Sequence, residues 1–459
     1  MIHKYYLGGL YIVLDVNSGG VHIVDELTYD LLDDAAPPFA EECPQEIVDK
    51  LSAKYPEQEI RECYDEIAAL YEEKILFSPD DYEKYAKFTV ASPIKAMCLH
   101  ISHDCNLRCK YCFASTGDFG TGRKLMPLEI GKKAIDFLLE NSGNRKNLEL
   151  DFFGGEPLMN FDVVKEVVAY GREREKEYGK NFRFTITTNG MLLTDDKIDF
   201  INKEMSNVVL SIDGRKDVHD NMRPTAGNKG SYDVILPKYK KLVDARDKDK
   251  DWYVRGTFTK YNLDFAEDVF DLYEKGFDQI SVEPVVCEDK YPYALTEADV
   301  PAIAEEYERL AQRLLENDRN GKHFNFFHFM IDLDQGPCAI KRLRGCGCGN
   351  EYVAITPDGD IYPCHQFVGI EEYKMGSLVD GSFNTEMKEQ FAKTHIYNKP
   401  SCRDCWAKFY CSGGCNANNY MYMGDVLKAH TLSCELEKKR VECAIMLQAI
   451  KSMERGQAE

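Results

Sequence analysis

Between residues 94 and 317 short apolar runs alternate with longer stretches of helical periodicity. The run Ile94-Lys95-Ala96-Met97-Cys98-Leu99-His100-Ile101 is apolar enough for a buried strand. Glu149 to Phe153, Phe182 to Thr187, Asn207 to Ile212, Tyr253 to Phe258 and Gln279 to Glu283 read as five more. Apolar residues recur at helical spacing near residues 128–140, 161–178, 194–204, 264–274 and 296–317. Strand and helix in alternation predict an α/β fold with parallel strands and right-handed crossovers. Six such strands make a partial (β/α)6 TIM barrel, with chemistry expected where the strands end.

The flanks break that rhythm. Leu7 to Asp15 and Val21 to Val24 read as the arms of a hairpin around Val16-Asn17-Ser18-Gly19-Gly20, and Glu26 to Leu32, Gln45 to Tyr55 and Gln58 to Leu76 as helices. Ile60, Cys63, Ile67 and Leu70 make an apolar stripe whose simplest use is a core. Beyond the barrel, Glu351 to Thr356 and Ile361 to Pro363 flank Pro357-Asp358-Gly359-Asp360, which predicts a second hairpin. Three regions are therefore expected, at residues 1–88, 89–330 and 331–459.

Composition narrows the class. No stretch of eighteen apolar residues suggests a membrane span, and the amino terminus lacks the basic-then-apolar pattern of a secretion signal, so the cytoplasm is the expected compartment. There, 17 cysteines argue for metal ligation rather than disulfides. A formal charge of −21 argues against a nucleic-acid partner.

Cys105, Cys109 and Cys112 follow the first strand in the run Asp104-Cys105-Asn106-Leu107-Arg108-Cys109-Lys110-Tyr111-Cys112. Three thiolates so spaced suit three irons of a cubane cluster. Structural zinc needs four ligands, and recruiting His100 or His103 would bend the strand end. The loop resembles the Cys-x3-Cys-x2-Cys signature of the radical S-adenosylmethionine (SAM) enzymes, with Tyr111 at the usual aromatic position. Gly154-Gly155-Glu156-Pro157, directly after the second strand, resembles that family's motif for the SAM amino group. Paired glycines let a ligand approach the backbone. Thr188 and Asn189 after the third strand, and Ser211 and Asp213 after the fourth, offer short polar side chains to ribose and carboxylate, although both segments also read as plain turns. Arg223 and Arg255 are candidates for the SAM carboxylate, or else structural.

A second cysteine field comprises Cys338, Cys346, Cys348, Cys364, Cys402, Cys405, Cys411, Cys415 and Cys434. Its spacing resembles the SPASM extension of radical SAM peptide-modifying enzymes. That resemblance implies two auxiliary 4Fe-4S clusters, hence three with the SAM-binding one. It assigns Cys402, Cys405, Cys411 and Cys434 to an outer cluster and Cys346, Cys364 and Cys415 to an inner one. Cys338 or Cys348 could complete the inner set, or its fourth iron could stay open for a substrate thiolate. Cys43, Cys63, Cys98, Cys287 and Cys443 read as small buried hydrophobes.

The amino-terminal 88 residues resemble, in organisation, the winged-helix element that binds leader peptides of ribosomally made, modified peptides. In order of parts the chain is most similar to the maturases of small peptides carrying six cysteines in forty-five residues. The resemblance implies a thioether between a cysteine sulfur and the α-carbon of an acceptor, often threonine. It also implies a cysteine-rich precursor peptide bound by leader and core, and an electron donor such as flavodoxin or ferredoxin. A sulfatase-maturing enzyme has Asp after the cysteine matched by Cys364, where this chain has His365; Asp358 or Asp360 could then act as base. A peptide epimerase, a carbon–carbon crosslinker and an iron-sulfur electron carrier are the other readings.

Overall fold

The computed structural model describes residues 1–86, 90–333 and 339–456. Six parallel strands, Ala96–His103, Asn147–Gly154, Asn181–Thr188, Asn207–Ser211, Asp251–Phe258 and Gln279–Pro284, lie side by side in chain order as a partial barrel. The alternation along each strand explains its seat. On Asn181–Thr188, Phe182, Phe184 and Ile186 are buried with Val164, Val167 and Val168 of helix Phe161–Tyr178, while Arg183, Thr185 and Thr187 take the opposite face. The helices thus cover one side of the sheet, leaving polar residues on the concave side.

The sheet continues past residue 331. Strand Tyr352–Ile355 pairs in parallel with Ala96–His103, and Asp360–Tyr362 turns back on it, so the second cysteine field is joined by backbone to the first barrel strand. Ile94 and Lys95, expected in that strand, instead bond to Asn141 and Glu351 as its lead-in.

At the amino terminus the expected first arm is two strands, Ile2–Leu7 and Leu10–Asp15, because Gly8 and Gly9 adopt φ of 61° and 81° and reverse the chain. Val21–Val24 completes a three-stranded antiparallel sheet. Ile60, Cys63 and Ile67 of helix Glu57–Glu72 are buried with Leu27, Leu31 and Val48, forming a core separate from the barrel's. The closing helix Thr431–Gly456 joins the ends of the molecule: His3 meets Glu442 at 3.0 Å and stacks on Trp406 at 3.7 Å. Two helices that periodicity did not predict, Lys216–Met222 and Tyr232–Asp244, separate the fourth and fifth strands; the second contains Pro237, which reads as a helix breaker in sequence. Among the described residues no helix is long and apolar enough to cross a membrane.

Candidate functional site

The three-cysteine loop is strapped across the strand ends. Arg108 N donates to Pro224 O at 2.8 Å and Lys110 N to Met222 O at 2.9 Å. Tyr111 donates to both oxygens of Asp213 at 2.7 Å, and Arg223 donates to the Tyr111 oxygen at 2.9 Å. Burial pushes the Cys105 thiol up to about 12 and the Cys109 thiol up to about 11, and raises Cys112; the Arg223 guanidinium pulls the last two back. Cys109 and Cys112 raise the Cys105 pKa and Cys112 that of Cys109, as neighbours in one loop do, and three soft donors suit an iron-sulfur cluster. Arg223 Nε is buried beside them and has no partner among the described residues, which fits an anionic ligand such as the SAM carboxylate.

His100 and His103 do not join the cysteines. Their rings bond to each other at 3.0 Å, His103 also to Thr121, and burial holds both neutral. Among the described residues no three His, Cys, Asp or Glu side chains converge on a single-ion site.

The glycine pair serves the loop's own backbone. A Cβ on Gly154 would lie 2.2 Å from Ser102 O, and one on Gly155 2.2 Å from Asp104 O; the amides of Gly155 and Glu156 bond to those same carbonyls at 2.7 and 2.9 Å. The close approach is thus chain to chain, seating the cysteine loop on the second strand. Pro157 opens the short turn Pro157–Asn160. Glu156, 1% exposed, accepts from Leu158 N, from the Thr188 hydroxyl and from Asn189 N at 3.0, 2.7 and 2.8 Å. Thr188 is therefore committed to Glu156. Asn189 reaches Asn106 at 2.8 Å and the Cys105 sulfur at 3.5 Å.

Ser211 lies on the polar face, its carbonyl accepting from Tyr239, and burial raises the Asp213 carboxyl to about 6. The two arginines separate. Arg223 stands at the loop, whereas Arg255 pairs with Glu283 at 2.6 Å on the concave face, next to Asp151.

The second field divides into two patches. A cavity of 360 Å³ is lined by Cys402, Cys405, Cys411 and Cys434 together with Trp406 and Lys438. Cys346, Cys364 and Cys415 influence one another's ionisation, and Cys348 joins them: its thiol donates to Cys364, which lowers the Cys364 pKa and raises its own. Cys338, the other contender for the inner set, lies outside the described residues. Lys399, 1% exposed, sits among Cys402, Cys411, Cys415 and Cys346, and its ammonium donates to the neutral Gly413 O and Asn416 Oδ1 at 2.7 and 2.8 Å. A buried cation set among thiols of both patches fits anionic clusters there.

Asp358 and Asp360 are held in ion pairs by Lys124 at 2.6 Å and Lys374 at 2.9 Å, in the turn between strands Tyr352–Ile355 and Asp360–Tyr362. His365 faces inward: its ring packs on Phe113 at 5.4 Å and Phe153 at 5.1 Å, and Nδ1 meets the Tyr352 hydroxyl at 3.2 Å. Burial holds it neutral, at about 4. Motif reading missed Asp151, Glu283, His328 and Tyr352; for all but His328, which sits in the short turn Phe327–Phe329, the available signal was the register of its strand.

Residues 99–248 match the Radical SAM superfamily, and residues 346–406 match SPASM, an iron-sulfur cluster-binding domain. The chain carries a radical SAM domain and a SPASM domain. Such domains imply SAM and iron-sulfur clusters. A cysteine-type anaerobic sulfatase-maturating enzyme of Clostridium novyi is 26% identical over 336 residues, 69% of this chain and 86% of the relative. The structure of native anSMEcpe with bound AdoMet and a peptide matches the fold at a TM-score of 0.65 and 20% identity, over 78% of this chain and 99% of that one. Streptococcus suis SuiB bound to SAM matches at 0.54 and 17%, over 94% and 97%. The chain is thus similar in sequence to the Clostridium novyi sulfatase-maturating enzyme and shares the fold of anSMEcpe and SuiB.

Proposed function

We propose that this protein is a radical SAM maturase that forms an intrapeptide thioether, joining a cysteine sulfur of a small cysteine-rich precursor to the α-carbon of an acceptor residue. One observation carries the reading. His365, adjacent to Cys364 of the inner cysteine patch, packs on Phe113, adjacent to Cys112 of the three-cysteine loop, so a sulfur-binding centre and a radical centre would open on one cavity. In this reading Cys105, Cys109 and Cys112 hold the first cluster, and the two SPASM patches hold two more. When bound, SAM and a reduced cluster there would supply hydrogen-atom abstraction from an unactivated carbon. The chain's residues do the rest: Arg223 binds the SAM carboxylate, Glu156 braces the cradle, and Phe113, Phe119 and Phe153 exclude water. Residues 1–88 would hold the leader by strand addition, residues 89–330 perform the radical step with an electron from a donor such as flavodoxin or ferredoxin, and residues 331–459 take up the second electron. Coverage of 94% by SuiB, a protein solved with its precursor peptide SuiA, supports a leader-binding amino-terminal region.

The Clostridium novyi relative supports a second reading, formylglycine formation on a sulfatase. The two separate by tandem mass spectrometry of a cysteine-rich precursor treated with the anaerobically reconstituted protein, SAM and a strong reductant. Loss of two hydrogens with one thiol protected from alkylation is the expected result. Formylglycine, or an unchanged mass with solvent-deuterium uptake, would replace thioether formation with sulfatase maturation or epimerisation. Cys364→Ala should abolish bridging and leave some SAM cleavage; bridging that persists would remove the inner patch from the mechanism.

A further inference from the structure

Removing a hydrogen atom from a carbon and joining that carbon to a thiol leaves a proton from the broken S–H bond, and the chain must supply an acceptor for it. The groups with acid–base capacity on the concave face are mostly committed. Glu283 is paired with Arg255 at 2.6 Å and stands 3.9 Å from His328. His365 is bonded to Tyr352. Glu156 and Asp213 are filled by the contacts described above, and Asp358 and Asp360 are held in lysine pairs.

Asp151 differs. It lies on the polar register of Asn147–Gly154, two residues before Phe153, whose ring packs on His365. Its Oδ1 is shut off from solvent with no partner among the described residues, while Thr187 and Arg255 attend the carboxylate. The other groups around it are Cys98, Tyr253 and Tyr352. An unpartnered carboxylate oxygen in a closed site costs stability, so its retention points to a ligand that supplies the missing donor.

We propose that Asp151 Oδ1 receives the proton of the substrate cysteine thiol. The S–H bond breaks, the proton moves to the carboxylate, and the sulfur remains as thiolate; no electron changes hands in this step. The inference rests on the thioether reading. Burial raises the Asp151 carboxyl to about 7 while Arg255 holds it down, leaving a base matched to a neutral medium.

The test is Asp151→Asn in the full-length, anaerobically reconstituted protein, with a precursor deuterated at the acceptor α-carbon. Deuterium transfer into deoxyadenosine should persist within about twofold. Thioether formed per deoxyadenosine should fall about a hundredfold, the lower end of general-base contributions, with partial recovery in Asp151→Glu. Independently of turnover, infrared difference spectra of the protein without cofactors should show a carboxyl band titrating near neutrality that D151N lacks. Unchanged coupling in D151N would overturn the proposal, as would loss of SAM cleavage together with product, which would place Asp151 in the cofactor cradle. A wild-type enzyme that leaves the peptide thiols unbridged would refute the thioether reading itself and this role with it.

Discussion

Glu156→Gln tests whether one carboxylate holds the SAM cradle together. Every contact to Glu156 is a donor: Leu158 N and the Thr188 hydroxyl on Oε1, Asn189 N on Oε2. Gln retains the first two and turns an NH2 toward the Asn189 amide, so one charge-assisted bond is lost and a buried donor faces a donor. At about 1.5–3 kcal/mol for such a bond, with an unsatisfied donor added, the expected cost is about 2–4 kcal/mol. At roughly 2 °C per kcal/mol for a large domain, the first unfolding transition should fall about 4–8 °C in anaerobic scanning fluorimetry. SAM binding should weaken too, because Asn189 is the link from Glu156 to Cys105. Thr188→Val is the control, removing one bond without a donor clash, and combining both changes should cost less than their sum. Wild-type melting and SAM affinity in E156Q would refute the reasoning, since Gln would then satisfy the site as well as a carboxylate does.

Gly155→Ala would place a methyl 2.2 Å from Asp104 O, a backbone atom, so the cysteine loop must lift; iron content and the electron paramagnetic resonance of the loop cluster should drop, and full loading would show that the loop yields freely. Lys399→Met removes the buried ammonium set among Cys402, Cys411, Cys415 and Cys346, which should lower the midpoint potentials of the auxiliary clusters in a spectroscopic titration; unaltered potentials would place the charge away from them. Because the folded protein holds the Asp151 proton more tightly than the unfolded chain, that group's stabilisation is complete only below the ordinary carboxyl value of 3.8 and is lost progressively as pH rises from there through about 7. D151N should therefore approach wild type in melting temperature near pH 3.5 and lie above it by a few degrees near pH 8.5; a constant difference across that range would contradict the shift.

Features whose parts lie within a few residues were legible in the sequence. Cys105, Cys109 and Cys112 share one loop, and Gly154 and Gly155 one turn, so their spacing marks them as candidates in the sequence itself. The six barrel strands were legible because their buried faces must alternate with polar ones. Gly8 and Gly9 carried a turn signal of the same local kind, and reading the arm through them missed a strand. The sequence alone therefore determined which chemical groups exist, in what order, and on which face of each strand they sit.

Only the tertiary structure decided which of those groups meet. Asp151 and Arg255 are over a hundred positions apart and face each other because strand order and register place them there. Arg223 became the loop's arginine because the end of helix Lys216–Met222 bonds to the cysteine loop, and Arg255 a partner of Glu283 because their strands pair side by side. Cys348 was set against Cys364 by the hairpin that extends the barrel sheet. Strand periodicity assigns a face and carries no information about the residue across it, since that depends on hydrogen-bond register and on helices packing from the other side.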